Sequence, residues 1–473
     1  MGEPERPVDA GSGTTAAKAT DADTESGRDL GLGSATALVI GNIVGTGIFL
    51  LPASMAAFGT VSLVAMGLVT LGAIAMAMVF GKLGARIPAG GGPYAYARDA
   101  FGEFVGFWNA WSFWLTAWIG NAAIAVAWVG YVQYFVDRAF GLSWGSTFAA
   151  IIIALVGVWI PAFINMAGAK NMAAFQLITT ILKFAPLLFI AVIGLFFIEG
   201  ANFGPFNATD GSWVGAISLA GAVALFIYSG VESVAIAAEK IKDPTRNIGR
   251  ASMIGVLACA VLYMLSTVAV MGTVPYAELV DSTAPFADAL NNMFGGTAGG
   301  VVMAACAIIS GIGALNGWTM LVAEMPMAAA RDGMFPQMFA KESSRGVPMN
   351  GILVGSVLTS VMLLVAYASS NAFNTIVLLA SFTTVIPYFF SAAAQLFWQM
   401  TGARQIEKGR LARDVTVSVV ALLFGFWMAY GSGPEAVLGG TLMLLMGVPV
   451  YIWVKSKRGE YGPLEVSNKP QGG

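Results

Sequence analysis

The chain has 473 residues, 57% of them hydrophobic and 11% charged, with a formal net charge of −2. Soluble globular proteins carry about 25% charged residues, so a soluble enzyme is a poor reading, and nothing in a total this close to zero points to a nucleic-acid partner. Histidine is absent and Cys259 and Cys306 each fall inside an apolar run, so neither a disulfide framework, a metal-ligand spacing nor a cofactor is expected, and any pH response must use a carboxylate or a lysine.

Residues 1–33 are rich in Gly, Asp, Glu, Ser, Thr and Ala. They offer too little apolar surface to fold and read as a disordered cytoplasmic tail. They also lack the basic-then-apolar pattern of a cleaved signal, so the first apolar helix is expected to be a retained span. Apolar runs follow at 34–57, 61–80, 104–135, 146–165, 172–198, 213–238, 251–274, 300–323, 351–368, 376–397, 415–430 and 436–454. At roughly 1.5 Å per residue, runs of about twenty residues cross ~30 Å of hydrocarbon. The chain therefore reads as an all-α integral membrane protein of about twelve transmembrane helices, the last two being the shortest.

Lysine and arginine placement orients it. With the N-terminus inside, the inner loops collect Lys82, Arg86 and Arg98, then Lys240, Lys242, Arg246 and Arg250, then Arg404, Lys408, Arg410 and Arg413. Of the 24 basic residues only Arg138 falls in an outer loop and only Lys183 inside a span. The asymmetry puts both termini in the cytoplasm, as expected for a multi-pass membrane protein.

Two spans are interrupted: at Gly41-Asn42-Ile43-Val44-Gly45-Thr46-Gly47-Ile48-Phe49 and at Ile227-Tyr228-Ser229-Gly230-Val231-Glu232-Ser233. In lipid, unwound backbone survives only where it lines a cavity or is buried in protein. Paired breaks in the two halves of a chain point to the substrate site of a secondary transporter. The expected organisation is an inverted repeat of five helices plus five, opened by broken helices 1 and 6. Its parts are 34–198 (helices 1–5), 199–398 (helices 6–10), two further helices over 399–456, and a cytoplasmic tail over 457–473.

The chemistry at the breaks suits an amino acid. Unpaired N–H groups around Ile43, Gly45, Thr46 and Gly47, at the positive end of a half-helix, suit a carboxylate, and Thr46 adds a hydroxyl. The same Gly-x-x-x-Gly spacing also allows close helix packing, so spacing alone leaves both readings open. The half-helix ending near Ser229 presents carbonyls that suit an ammonium. Glu232 places a carboxylate in mid-span, a functional candidate by default, though bonding to a neighbouring amide would also account for it. Lys183 lies about twelve residues into its span, about 18 Å deep, too far to reach the interface. Its ammonium needs acceptors such as broken-helix carbonyls, and a purely structural tie is the alternative. Asn121 is a mid-span amide that needs partners. The glycine-rich stretch 88–98 reads as a re-entrant inner loop, a gating element and not a phosphate loop, since no Gly-Lys-Ser/Thr follows.

At these residues the chain resembles the amino acid–polyamine–organocation superfamily, and within it bacterial antiporters of the arginine/agmatine type. The similarity is most specific at 41–52, 90–102, Trp118-Ile119-Gly120-Asn121, 230–246 and Gly317-Trp318 through Asp332-Gly333-Met334-Phe335-Pro336. The resemblance implies the five-plus-five fold with two added helices, alternating access and, often, a homodimer. Carried across, Thr46 and Gly47 would bind substrate carboxylate, and carbonyls near Phe226 and Ser229 its ammonium. Asn121 and Trp318 would contact the side chain, Trp318 by cation–π stacking, and Glu232 would be the gating, pH-responsive carboxylate. Phe226 stands where those exchangers have tryptophan and Phe113, also a gating candidate, where they have tyrosine. Lys183 is similar to the fifth-helix lysine of proton-coupled or sodium-independent permeases. These departures bear on arginine specificity and not on the superfamily.

The expected function is a sodium-independent antiporter exchanging an amino acid, a cationic one such as arginine first, for a related amino acid or amine. The alternative is a proton-coupled uptake permease for neutral or broad-range amino acids. A nutrient sensor that binds without turnover is the reading from another class. An intramembrane hydrolase would need a nucleophile with a base, or metal ligands, that the spans lack.

Overall fold

The computed structural model describes residues 30–88, 91–168, 172–369, 371–402 and 408–459, without the side chains of 46, 172–178, 180 and 408–410. The rest of the two tails lies outside the described residues. Among the described residues the secondary structure is helical, relieved by one isolated parallel bridge. That bridge joins Leu30 to Ile241: Leu30 N–H donates to the Lys240 carbonyl and Lys242 N–H to the Leu30 carbonyl, each at 2.9 Å. Residues 30–33, placed in the tail by composition, are therefore ordered and tied to the segment that follows the second break.

Helix α1 (Leu32–Ile43) stops at Val44, and the chain resumes as a 3₁₀ turn over Thr46–Phe49 and a short helix over Leu51–Ala56. After α2 (Val61–Arg86), α3 (Pro93–Phe101) opens behind Gly91 and Gly92, both at positive φ. Helix α4 (Glu103–Phe140) has 38 residues and is about 57 Å long, well beyond the hydrocarbon thickness. Next come α5 (Thr147–Ala167) and α6 (Met172–Ile193), then α7 (Trp213–Phe226). The chain then runs irregularly to a four-residue helix, Ser233–Ile236. The second half continues through α8 (Pro244–Thr273), α9 (Pro285–Phe294), α10 (Ala298–Arg331), α11 (Met349–Ala366) and α12 (Ala372–Thr401). It closes with α13 (Lys408–Gly431), α14 (Gly433–Leu445) and α15 (Gly447–Lys457).

Nine helical stretches among the described residues are long and apolar enough to cross a membrane, and three shorter apolar helices, Leu32–Ile43, Ile181–Phe197 and Trp213–Phe226, complete the twelve expected segments. The short ones include both interrupted helices, because a break divides a span into pieces too short to cross alone. Segment 436–454, expected to be one span, lies within the apolar stretch Gly433–Lys457, whose helix is interrupted at the single residue Met446.

Helix α4 is the mast of the bundle, buried from Gly106 to Tyr131 apart from Trp108, Trp111 and Val126 and packed against α10 and α12. By contrast, α5 turns Phe148, Ile152, Val156, Ile160 and Phe163 outward at helical spacing, a lipid-facing stripe. The segment that carries Gly91 and Gly92 meets the bundle through α3: the Tyr94 hydroxyl donates to Asp332, and Arg98 Nη1 sits 2.9 Å from the same carboxylate. Burial, and then the bond to Asp332, push the Tyr94 hydroxyl above its ordinary range.

Candidate functional site

The two breaks meet. Gly230, at φ +112°, lies so close to the other break that a Cβ built on it would stand 2.9 Å from the Asn42 carbonyl oxygen. Around this crossing is a narrow cavity of about 20 Å³, lined by backbone and side chains of both breaks and by Ile124, Tyr263 and Trp318. Ile43, Gly45, Gly47, Phe226, Ser229 and Trp318 all line it. The side chain of Thr46 lies outside the described residues.

The backbone at the crossing is only partly paired. The Thr46 and Gly47 amides open the 3₁₀ turn ahead of its first i→i−3 bond, which the turn's pattern gives to Ile48 N–H and the Gly45 carbonyl. On the other strand, Ser229 N–H donates to the Phe226 carbonyl at 3.2 Å and Val231 N–H to Tyr228. That leaves the Ile227 and Ser229 carbonyls without a backbone donor among the described residues, and Ser229 Oγ is buried without a partner. The Phe226 carbonyl accepts from Ser229 N–H with one of its two lone pairs. The Phe226 ring fills the space between the first break and α4, since a Cβ on Gly47 would lie 2.9 Å from it and one on Gly120 3.3 Å. Glycine at both positions makes room for that ring.

Three tyrosines frame the crossing. Tyr263 OH donates to the Ile43 carbonyl at 2.9 Å, satisfying one end of α1. Tyr228 and Thr70 share a hydroxyl–hydroxyl bond of 2.6 Å, and the Tyr228 and Tyr263 rings meet edge to face at 5.9 Å. Tyr388 OH, from α12, donates to Glu232 Oε2 at 2.9 Å. Both Glu232 oxygens also accept from Gly230 N–H at 3.2 Å. The carboxylate thus reaches back onto the break instead of into the cavity.

Lys183, 3% exposed, donates from Nζ to the Gly41 carbonyl at 3.1 Å. Gly41 is helical, and the interruption starts three residues later, at Val44, so the glycine's carbonyl and not its flexibility is what α1 uses here. Asn121 does not line the cavity. Its Nδ2 donates to Thr319 Oγ1 at 3.3 Å, while Oδ1 is buried and unpartnered. Phe113, eight residues earlier on α4, is buried about 12 Å further along the axis and does not line the cavity. Asn42, Ile124, Tyr263 and Tyr388 were not singled out by sequence. The tyrosines had a signal, since a hydroxyl in mid-span must find a partner.

A membrane-spanning helical bundle whose two interrupted helices cross at a buried cavity is the architecture of a secondary transporter. Comparison with known proteins narrows the class. The family model for amino acid permeases matches residues 30–454, and the chain belongs to that family. It is 31% identical over 451 residues, 92% of this chain and 93% of the relative, to a Pseudomonas aeruginosa protein named as an arginine/ornithine antiporter. It is 30% identical to the putrescine transporter PotE of Escherichia coli, over 89% of this chain and 95% of that one. A putative arginine/ornithine antiporter of Escherichia coli is 28% identical over 90% of this chain and 92% of its own length. The protein is thus a multi-pass transporter of the amino acid–polyamine–organocation type, acting on small molecules in a membrane and not an enzyme.

Proposed function

We propose that the protein is a sodium-independent antiporter that exchanges an amino acid, a cationic one such as arginine or ornithine first, for a related amino acid or amine. The observation behind this reading is the crossing itself: the Thr46 and Gly47 amides that open the 3₁₀ turn, and the Ile227 and Ser229 carbonyls that lack a backbone donor among the described residues, come together at one cavity. A zwitterion's carboxylate suits the first pair and its ammonium the second. The names of the relatives supply the substrate class and the exchange mode. In this reading both termini are cytoplasmic, helices 1–5 and 6–10 form an inverted repeat, and two copies pair in the bilayer of a bacterial inner membrane.

Sodium independence rests on Lys183, whose ammonium at the Gly41 carbonyl supplies a fixed positive charge beside the first break. In proteoliposomes without sodium, uptake of labelled arginine is expected only when an internal amino acid is trapped. Uptake driven by an imposed proton gradient into empty vesicles would replace exchange with a permease. Lys183→Ala is expected to cut turnover or to make it depend on an added cation. Wild-type rates across a sodium series would remove the lysine from the mechanism.

The proton-coupled permease for neutral amino acids is favoured by one observation: Ile43, Ile48, Ile124, Ile227 and Phe226 line the cavity, and among the described residues no carboxylate does. Trp318 separates the two readings. Stacking on a cationic head in a desolvated site contributes about 1–2 kcal/mol, so Trp318→Ala is expected to weaken arginine binding about 5- to 30-fold. Alanine binding should hardly change. Equal losses for both ligands would argue against that contact.

A further inference from the structure

We infer that Tyr131 is a positioning residue for transport: from α4 it latches both α9 and the outer half of the first broken helix, so that the docked pair closes the cavity on its outer side. The inference rests on the orientation proposed above, which places α9 outside.

Tyr131 lies on α4 seven residues beyond Ile124, which lines the cavity, and so stands about 10 Å further out. Its hydroxyl serves two elements at once. It donates to the Phe49 carbonyl at 2.8 Å and accepts from the Phe286 N–H at 3.3 Å. Phe49 ends the 3₁₀ turn of the first break, next to the cavity-lining Ile48, and Phe286 is the second residue of α9. The Phe49 ring meets Tyr131 edge to face at 5.7 Å and Phe286 at 5.5 Å. All three side chains are fully buried. The backbones are equally close, since a Cβ on Gly130 would fall 2.3 Å from the Thr283 carbonyl oxygen, just before α9.

One helical turn further on, Tyr134 OH accepts from Asn291 Nδ2 at 2.5 Å, and Asn291 Oδ1 accepts from Gly300 N–H at 2.8 Å. A single face of α4 therefore holds both ends of α9. Loss of the Tyr131 hydroxyl would leave the Phe49 carbonyl and the Phe286 amide buried and unpaired only while α9 is docked, because water reaches them once it lifts. The docked state alone is destabilised, and the population moves toward an outwardly open cavity.

The test uses Ile124→Cys as a reporter in a chain lacking Cys259 and Cys306, labelled with a membrane-impermeant thiol reagent. In right-side-out cells Tyr131→Phe is expected to raise the labelling rate roughly fivefold or more. In inside-out vesicles the rate should stay level or fall. A rise from both sides means general loosening and overturns the assignment, as does no change in either. A rise confined to inside-out vesicles keeps the tie but overturns the orientation. Tyr134→Phe, at a less buried position, is the companion variant, expected to raise outer labelling about twofold. Should Tyr131→Phe fail to reach the membrane, an unchanged rate in Tyr134→Phe overturns the proposal.

Discussion

Gly230→Ala is expected to abolish exchange while Gly41→Ala leaves it close to wild type. Gly230 adopts φ +112°, a conformation L residues adopt at a cost of about 1–3 kcal/mol. A Cβ there would stand 2.8 Å from the Asn42 carbonyl carbon, 2.9 Å from its oxygen and 3.0 Å from the Ile43 nitrogen. All three are backbone atoms, so no rotamer change relieves the clash, and the breaks must separate. Together the strain and the overlap amount to on the order of 3 kcal/mol or more, about a 100-fold loss of the assembled site. At Gly41 an added Cβ meets nothing within 4 Å. Counterflow of a labelled amino acid into proteoliposomes loaded with equal protein reads the contrast. Equal rates for the two variants would show that transport does not need the backbone contact between the breaks.

That contrast also marks how far the sequence could be read. Apolar run length gave the helical membrane class, because the bilayer sets a minimum length that few other structures satisfy. The glycines and the mid-span Glu232 gave the two interruptions. Composition could not say which glycine does what. Gly41 is helical and offers a carbonyl to Lys183, Gly47 and Gly120 make room for one phenyl ring, and Gly230 is held against Asn42. Each of these depends on a partner many residues away, which no local pattern records. The same holds for Tyr388, 156 positions from the carboxylate it serves. Asn121 shows the reverse limit: its polarity in a span correctly demanded a partner, but the partner is Thr319 on α10 and the amide stands outside the cavity lining. Periodicity reports exposure, whereas the site is made by crossings.

Glu232→Gln is expected to flatten the pH dependence of exchange and lower its rate by about 10-fold or more. The carboxylate faces donors only: Gly230 N–H reaches both oxygens at 3.2 Å and Tyr388 OH reaches Oε2 at 2.9 Å. Such a shell suits the ionised form, which accepts at both oxygens. A proton added to Oε2 turns an acceptor into a donor, so the Tyr388 hydroxyl must reverse and accept, and the charge-assisted shell is lost. Tyr388 joins α12 to the second break through this bond, and its ring packs edge to face on Phe80 of α2 at 5.6 Å. Proton binding at Glu232 thus loosens the break from two helices of the bundle at once. Glutamine keeps one oxygen to accept from Gly230 N–H and turns its NH₂ to Tyr388, whose hydroxyl then accepts instead of donating, so the shell is held in the neutral arrangement at every pH. At a loss of about 1–3 kcal/mol for a broken bond to a buried charged group, the variant should exchange slowly at every pH, with substrate binding by calorimetry still measurable. Tyr388→Phe should shift the profile without flattening it, since the carboxyl still titrates against Gly230. A Glu232→Gln profile that keeps the wild-type pH response would move proton sensing to another group.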